Sequence, residues 1–136
     1  MGLIVARDVR AAAAADVEVI ELEGEPASLI AAWEGSGPTV VVDAVSSGAP
    51  AGTVTVVNVT DAPLPPSLGA ASTHALGLGE AIELARVLKR LPERLVVVGV
   101  EASELGLGGP LSPAVAAAVL PATRAVLSSL GTDPKP

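Results

Sequence analysis

Two continuous runs of apolar residues dominate the hydrophobic pattern of this chain. Val40, Val41 and Val42 follow Thr39 without a polar interruption, and residues 94–100 include three consecutive valines. A strand that is buried on both faces lacks the alternation of a half-exposed strand, so continuous runs of branched residues are typical of it. We therefore expect buried strands over residues 39–42 and 94–100.

A helical period marks residues 74–91. Its apolar stripe consists of Leu78, Ala81, Ile82, Ala85 and Leu88. Its polar positions are Glu80, Glu83, Arg86 and Arg90. Apolar residues at this spacing predict an amphipathic helix. The acidic residues come early and the basic residues late, which matches the helix dipole.

The rest of the pattern completes an α/β chain. It predicts helices over residues 3–15, 26–33 and 113–130, strands over 17–22 and 53–59, and a loop over 60–72. Pro26 and Pro113 suit first helical positions, Ser112 suits a cap, and Pro121 predicts a kink.

The connection over residues 44–52 is shorter than the dozen or so residues of a parallel crossover. Strand 53–59 should therefore run antiparallel to its predecessor or lie at an edge. The order α-β-α-β-β-α-β-α predicts a three-layer α/β/α sandwich with a mixed, mostly parallel sheet.

Composition narrows the class of protein. The chain has 136 residues, 50% of them hydrophobic, and a net charge of −7. That length fits one domain with its own core, and the charge argues against a nucleic-acid binder. The absence of cysteine excludes disulfides, thiolate metal sites and a cysteine nucleophile. Glycines and prolines interrupt the uncharged stretch 105–123, so we expect no membrane span. No signal-peptide pattern is visible, and we expect a cytoplasmic location.

Asp43 and His74 are the residues whose positions suggest chemistry. Asp43 ends an apolar run, where a carboxylate is costly to bury without a partner or a function. His74, the only histidine, opens the next long helix. The carboxyl ends of strands are where ligands bind in open α/β sheets. A carboxylate and an imidazole that converge there would form part of a metal-binding site.

Structural roles for the same residues stay open at this point. Asp43 can instead cap a turn through the amides of Ser46, Ser47 or Gly48, and His74 can cap its helix. Glu101 follows the later strand and would share the edge with Asp43 if the two strands are parallel. Acidic residues after strands commonly meet water, so Glu101 is the weaker candidate.

Two other kinds of site are not supported. Ser72 lies beside His74, but the chain has no Gly-x-Ser-x-Gly elbow of a serine hydrolase. The glycines at 77–79 and 106–109 lack the spacing and the lysine of phosphate-binding loops. They are better explained as turn and close-packing positions.

Four segments resemble the hydrogenase maturation proteases, the endopeptidases that trim the large subunit of nickel-iron hydrogenases. The aspartate segment is residues 40–54 (VVVDAVSSGAPAGTV), and the histidine segment is residues 72–78 (STHALGL). Residues 98–101 (VGVE) and 109–115 (GPLSPAV) match the later strand and the entry to the last helix. The segments occur in the family's order, with fitting gaps, over nearly the whole chain.

This resemblance implies a phosphorylase/hydrolase-like fold with a five-stranded mixed sheet, here in one domain over residues 1–131 with a tail over 132–136. It implies that Asp43 and His74 help bind the nickel of the immature large-subunit precursor, which is cleaved once near its C-terminus. Nickel then comes with the substrate, and no organic cofactor, nucleic acid or membrane is involved. Two protein ligands leave coordination positions open for the substrate. The attacking group is not identified: a metal-polarised carbonyl and a metal-activated water both fit.

The chain also departs from the family pattern. Family members begin with a strand, a Gly-x-Gly-Asn loop and an acidic pair that supplies a third metal ligand. Met1-Gly2 aligns just after that pair, so the first strand is missing from the sequence. We expect an in-frame upstream extension, with Met1 standing for a valine at an alternative start, and little activity without it. The alternatives are a relative that binds nickel or precursor without cleaving, and a different hydrolase if Asp43 and His74 lie far apart.

Overall fold

The computed structural model describes residues 26–45, 47–65, 78–101 and 113–130. Their helices are α1 (Pro26–Trp33), α2 (Leu78–Leu88) and α3 (Pro113–Ser129), and their strands are β1 (Pro38–Val45), β2 (Val54–Asn58) and β3 (Arg94–Glu101). These elements follow the predicted order. The helix predicted over 3–15, the strand over 17–22 and the tail over 132–136 lie outside the described residues, and the division into domain and tail stays a prediction.

The described strands form one mixed sheet in the order β1-β3-β2. β1 runs parallel to β3, with Asp43 opposite Gly99 and Val45 opposite Glu101. β2 runs antiparallel to β3, with Val56 opposite Val98. The prediction that residues 53–59 form an antiparallel or edge strand is confirmed. The central place of β3 accounts for the continuous apolar run of its sequence.

Helices cover both faces of this sheet. α1 and α2 pack on one face with Leu95 and Val97, which we call the α1–α2 face. α3 packs on the other with Val98 and Val100, which we call the α3 face. Successive β3 side chains point to opposite faces, so its apolar residues serve both cores. The three-layer α/β/α sandwich is confirmed.

β1 departs from its prediction in two ways. It does not stop before Asp43, because its ladder with β3 continues to Val45. Val40, Val41 and Val42 are also only half-buried, so the prediction of burial on both faces is wrong for them. Among the described strands β1 has one neighbour, whereas β3 has two.

α2 is shorter than the predicted helix at its C-terminal end. Lys89 has a φ of 57°, Lys89 N–H donates to Arg86 O, and Arg90 N–H donates to Ala85 O at 2.8 Å. This is a Schellman end, in which a left-handed residue stops the helix. Leu88 is 48% exposed, so its assignment to the buried stripe is wrong. The other stripe positions are buried as predicted: Leu78, Ala81, Ile82 and Ala85.

α3 begins at Pro113, as predicted, and continues through Pro121 to Ser129. The kink at Pro121 and the cap at Ser112 stay predictions, and Ser112 lies outside the described residues. No helix in the described part of the chain is long and apolar enough to cross a bilayer.

Two glycines with positive φ provide a test of backbone packing. Gly52 has a φ of 89°, and a Cβ there would lie 2.5 Å from the carbonyl oxygen of Ala114. Gly35 has a φ of 75° and open space around it. We expect Gly35→Ala to lower the free energy of unfolding by about 1–2 kcal/mol from backbone strain alone. Gly52→Ala should lower it by about 2–5 kcal/mol, because the contact with α3 adds to the strain. Urea unfolding measures both, and equal losses would contradict the close approach to α3.

Candidate functional site

The carboxyl ends of β1 and β3 lie at the same edge of the sheet because the two strands are parallel. We call residues 43–45 and 99–101 the carboxyl rim. Asp43 is opposite Gly99, and Glu101 is opposite Val45, so the two acidic side chains are on the same face of the sheet. Val45 belongs to the core of the α1–α2 face. The rim therefore presents both carboxylates toward the helix layer that contains α2.

Asp43 is buried, with 6% of its surface exposed. Its neighbour across the ladder, Gly99, has no side chain to cover it. A buried carboxylate is costly unless it is hydrogen-bonded or binds a cation. Asp43 also takes part in an interaction within the protein, so its burial alone does not require a metal.

Glu101 is buried more deeply, at 3% exposure, and is fully engaged with the chain that follows β1. Its Oε1 accepts the N–H groups of Ser47 at 2.7 Å and Gly48 at 3.2 Å. Its Oε2 accepts the Ser47 hydroxyl at 2.8 Å. The expectation that Glu101 meets water is wrong, because β3 carries it to the inside of the turn.

The same contacts test the alternative that Asp43 caps the turn after β1. The amides of Ser47 and Gly48 donate to Glu101 rather than capping through Asp43. Ser46, the other amide considered, lies outside the described residues. The cap by Asp43 is therefore wrong for two of the three amides, and Glu101 has that role.

The direction of α2 is fixed by contacts at its C-terminal end. Arg86 donates to the carbonyl oxygens of Val59 at 2.8 Å, Thr60 at 2.9 Å and Ala62 at 3.0 Å. Val59 and Thr60 in turn hydrogen-bond Leu95, near the amino end of β3. The C-terminal end of α2 thus lies at the amino end of β1 and β3.

The N-terminus of α2 must then point the other way. An 11-residue helix is roughly 16 Å long, at about 1.5 Å per residue. Running back along β3 from its amino end, α2 begins toward the carboxyl rim, and Leu78 shares a core with Val45. His74 precedes Leu78 by four positions (78 − 74) in the sequence. His74 itself lies outside the described residues, so its meeting with Asp43 stays a prediction.

The contacts of Glu101 and Arg86 were not predicted from the sequence. Glu101 ends a buried apolar run as Asp43 was thought to do, and that signal could have identified it. Arg86 was assigned to the polar face, but its side chain is only 29% exposed. Its position on the flank of the buried stripe gives no sign of the carbonyl groups that it binds.

The metal-ligand set stays incomplete in the described part of the chain, where no three His, Cys, Asp or Glu residues cluster. The donor chemistry of Asp43 and His74 nevertheless suits a divalent metal such as nickel, since imidazole is a common ligand for it. Glu101 fits less well as a ligand because both of its oxygens already accept hydrogen bonds.

Comparison with known proteins agrees with the family resemblance. The family model HycI, described as hydrogenase maturation protease, matches residues 5–129. The chain is 38% identical over 94 residues to the hydrogenase expression/formation protein HupD of Thiocapsa roseopersicina. That match covers 67% of this chain and 42% of HupD, so it spans less than half of the relative.

Three solved structures share the fold. An endopeptidase from Escherichia coli, solved in solution, is 25% identical with a TM-score of 0.82, covering 98% of this chain and 86% of its own. The hydrogenase maturating endopeptidase HybD from E. coli is 24% identical with a TM-score of 0.75, covering 95% and 81%. The nickel-iron hydrogenase maturation protease HybD from Thermococcus kodakarensis is 25% identical with a TM-score of 0.67, covering 90% and 82%.

The contacts of Arg86 predict a stability difference between two arginines of one segment. Arg86→Met removes charged hydrogen bonds to the carbonyl groups after β2, and we expect it to lower the free energy of unfolding by about 1.5–3 kcal/mol. Arg90→Met is the control, because Arg90 is half-exposed and pairs with Glu34 at 3.5 Å. It should change stability by no more than about 0.5 kcal/mol. Similar losses in urea unfolding would show that Arg86 does not fix this end of α2.

Proposed function

Because the chain belongs to the hydrogenase maturation protease family, we propose that it removes the C-terminal extension of a nickel-iron hydrogenase large-subunit precursor. Cleavage follows nickel insertion, and the inserted nickel marks the precursor as ready. The carboxyl rim is the observation that carries this proposal. It combines a buried Asp43 with a helix whose N-terminus is directed to the same edge of the sheet.

Asp43 and His74 are the residues that we assign to nickel recognition. Nickel arrives with the precursor, so this site needs to complete its coordination rather than hold it alone. One carboxylate and one imidazole do this while leaving positions for the precursor's own ligands. Burial of Asp43 strengthens its attraction for the cation, because the surroundings screen charge less than water does.

Nickel bound at the rim would polarise the scissile carbonyl or activate a water molecule. The protein's contribution is to orient the precursor through Asp43 and His74. We expect no organic cofactor, and the cytoplasmic location expected from the sequence stays a prediction.

Cleavage of the precursor tests this proposal directly. The protein, expressed from its full reading frame, is incubated with nickel-loaded large-subunit precursor, and the product mass is followed with time. We expect loss of one C-terminal peptide, and no loss from nickel-free precursor. Asp43→Asn and His74→Ala should each slow processing on the order of 100-fold or more, since loss of a residue that only supports a metal ligand already costs about 10- to 100-fold. Both variants should stay folded by circular dichroism.

Asp61→Asn provides the matched control, because Asp61 is an exposed aspartate after β2. It should process the precursor as the unchanged protein does. If the unchanged protein binds the precursor without cleaving it, the result would support the alternative of a non-catalytic relative. Cleavage of nickel-free precursor, or full activity in Asp43→Asn, would reject nickel recognition by this residue and favour a different hydrolase on the same fold.

A further inference from the structure

Residues 47–53, which we call the rim loop, are attached to Glu101 at both ends. At the start of the loop, Ser47 and Gly48 donate three hydrogen bonds to the Glu101 carboxylate. At its end, Gly52 N–H donates to Glu101 O at 2.8 Å, and Glu101 N–H donates to Thr53 O at 2.8 Å. One residue of β3 therefore holds both ends of the rim loop.

The far side of the rim loop is also confined. Gly52 approaches the first turn of α3 so closely that a Cβ would meet Ala114 O. Thr53 closes a tight turn, with its N–H and hydroxyl both donating to Pro50 O. Ser47, Gly48 and Pro50 are exposed, whereas Glu101 is buried beneath them. The loop is thus held from inside and presents its outer surface beside the carboxyl rim.

Asp43 lies in the same ladder that Glu101 closes. Its residue pair, Asp43 and Gly99, is two rungs before the last pair, Val45 and Glu101. Strand ends open locally when the chain beyond them is not attached. The Glu101 carboxylate attaches that chain at Ser47, and this holds the last rungs of β1 closed.

We propose that Glu101 is a positioning residue, which fixes the rim loop and thereby the Asp43 carboxylate for nickel-loaded precursor. This inference rests on the function proposed above for Asp43. Glu101 acts by accepting hydrogen bonds, not as a metal ligand and not by transferring a proton. Its two oxygens are engaged by Ser47 and Gly48, on the inner side of the loop.

Two substitutions separate hydrogen bonding from charge. In Glu101→Gln the amide oxygen can still accept both backbone N–H groups, and the amide nitrogen can donate to the Ser47 hydroxyl, which also accepts. Glu101→Leu has a similar size and no acceptor. The glutamine variant should therefore keep the hydrogen bonds that hold the rim loop, and the leucine variant should lose them.

The first measurement is independent of any substrate. Amide hydrogen exchange at Ser47 and Gly48 should be slow in the unchanged protein and in Glu101→Gln. It should be about 10- to 100-fold faster in Glu101→Leu, from loss of hydrogen bonds to a charged group. The carbon-13 signal of the Asp43 carboxyl group should shift in Glu101→Leu and stay near its original position in Glu101→Gln.

The second measurement is precursor processing, expressed per folded molecule. Glu101→Gln should process within about threefold of the unchanged protein, and Glu101→Leu should lose at least about 10-fold, because small misplacements of a site group are costly. Leu127→Ala is the control for general destabilisation, since Leu127 is buried on the α3 face. It should retain slow exchange at Ser47 and Gly48 and processing within about twofold.

The outcomes distinguish the two proposals. Equal loss of processing in Glu101→Gln and Glu101→Leu would show that the charge of Glu101 is needed, and would overturn a positioning role. An unchanged rim loop or an unmoved Asp43 signal in Glu101→Leu would overturn it as well. If the unchanged protein does not cleave the precursor, the proposed function fails, while hydrogen exchange and the Asp43 signal still decide whether Glu101 positions Asp43.

Discussion

The parallel ladder between β1 and β3 is the constraint on which the site depends. Because the strands run the same way in one register, Asp43 and Glu101 reach the same edge and the same face of the sheet. An antiparallel pairing would place them at opposite ends. Arg86 adds the direction of α2, since its bonds to the chain after β2 leave the helix N-terminus directed to that edge. Sheet and helix together bring two carboxylates and the N-terminal end of α2 to one edge of the sheet.

Two buried carboxylates lie at one rim, and their surroundings differ. Glu101 lies beneath a turn whose N–H groups point inward, so its charge is compensated by hydrogen bonds from Ser47 and Gly48. Asp43 lies beside Gly99, where the neighbouring strand contributes no side chain. Asp43 also has an interaction within the protein. We propose that Glu101 holds the rim loop and that Asp43 takes part in recognition of the precursor. Neither assignment follows from residue type, because both are acidic residues at the end of an apolar run.

Much of the fold could be predicted because its elements have strong local signals. The prolines that start α1 and α3, the valines of β3 and the spacing of α2 each predict their element without tertiary context. The errors arose where tertiary contacts decide the outcome. The ladder with β3 extends β1 past Asp43, a left-handed Lys89 ends α2 before Leu91, and carbonyl groups from a distant loop bind Arg86. For the site, the sequence allowed two candidate residues, Asp43 and His74, and one edge of the sheet to be predicted. The attachment of the rim loop to Glu101 could not be predicted, because it joins residues more than fifty positions apart.

The central claim is that Asp43 and His74 share one metal at the carboxyl rim. Nickel titration followed by nuclear magnetic resonance tests it most directly, because His74 is the only histidine and gives a single set of imidazole signals. Paramagnetic nickel broadens the signals of groups close to it. The account predicts that the His74 imidazole and the Asp43 carboxyl signals broaden together at the same nickel concentrations, and that Asp43→Asn weakens the effect at His74. Broadening of one group without the other, or an unchanged His74 response in Asp43→Asn, would contradict the shared site.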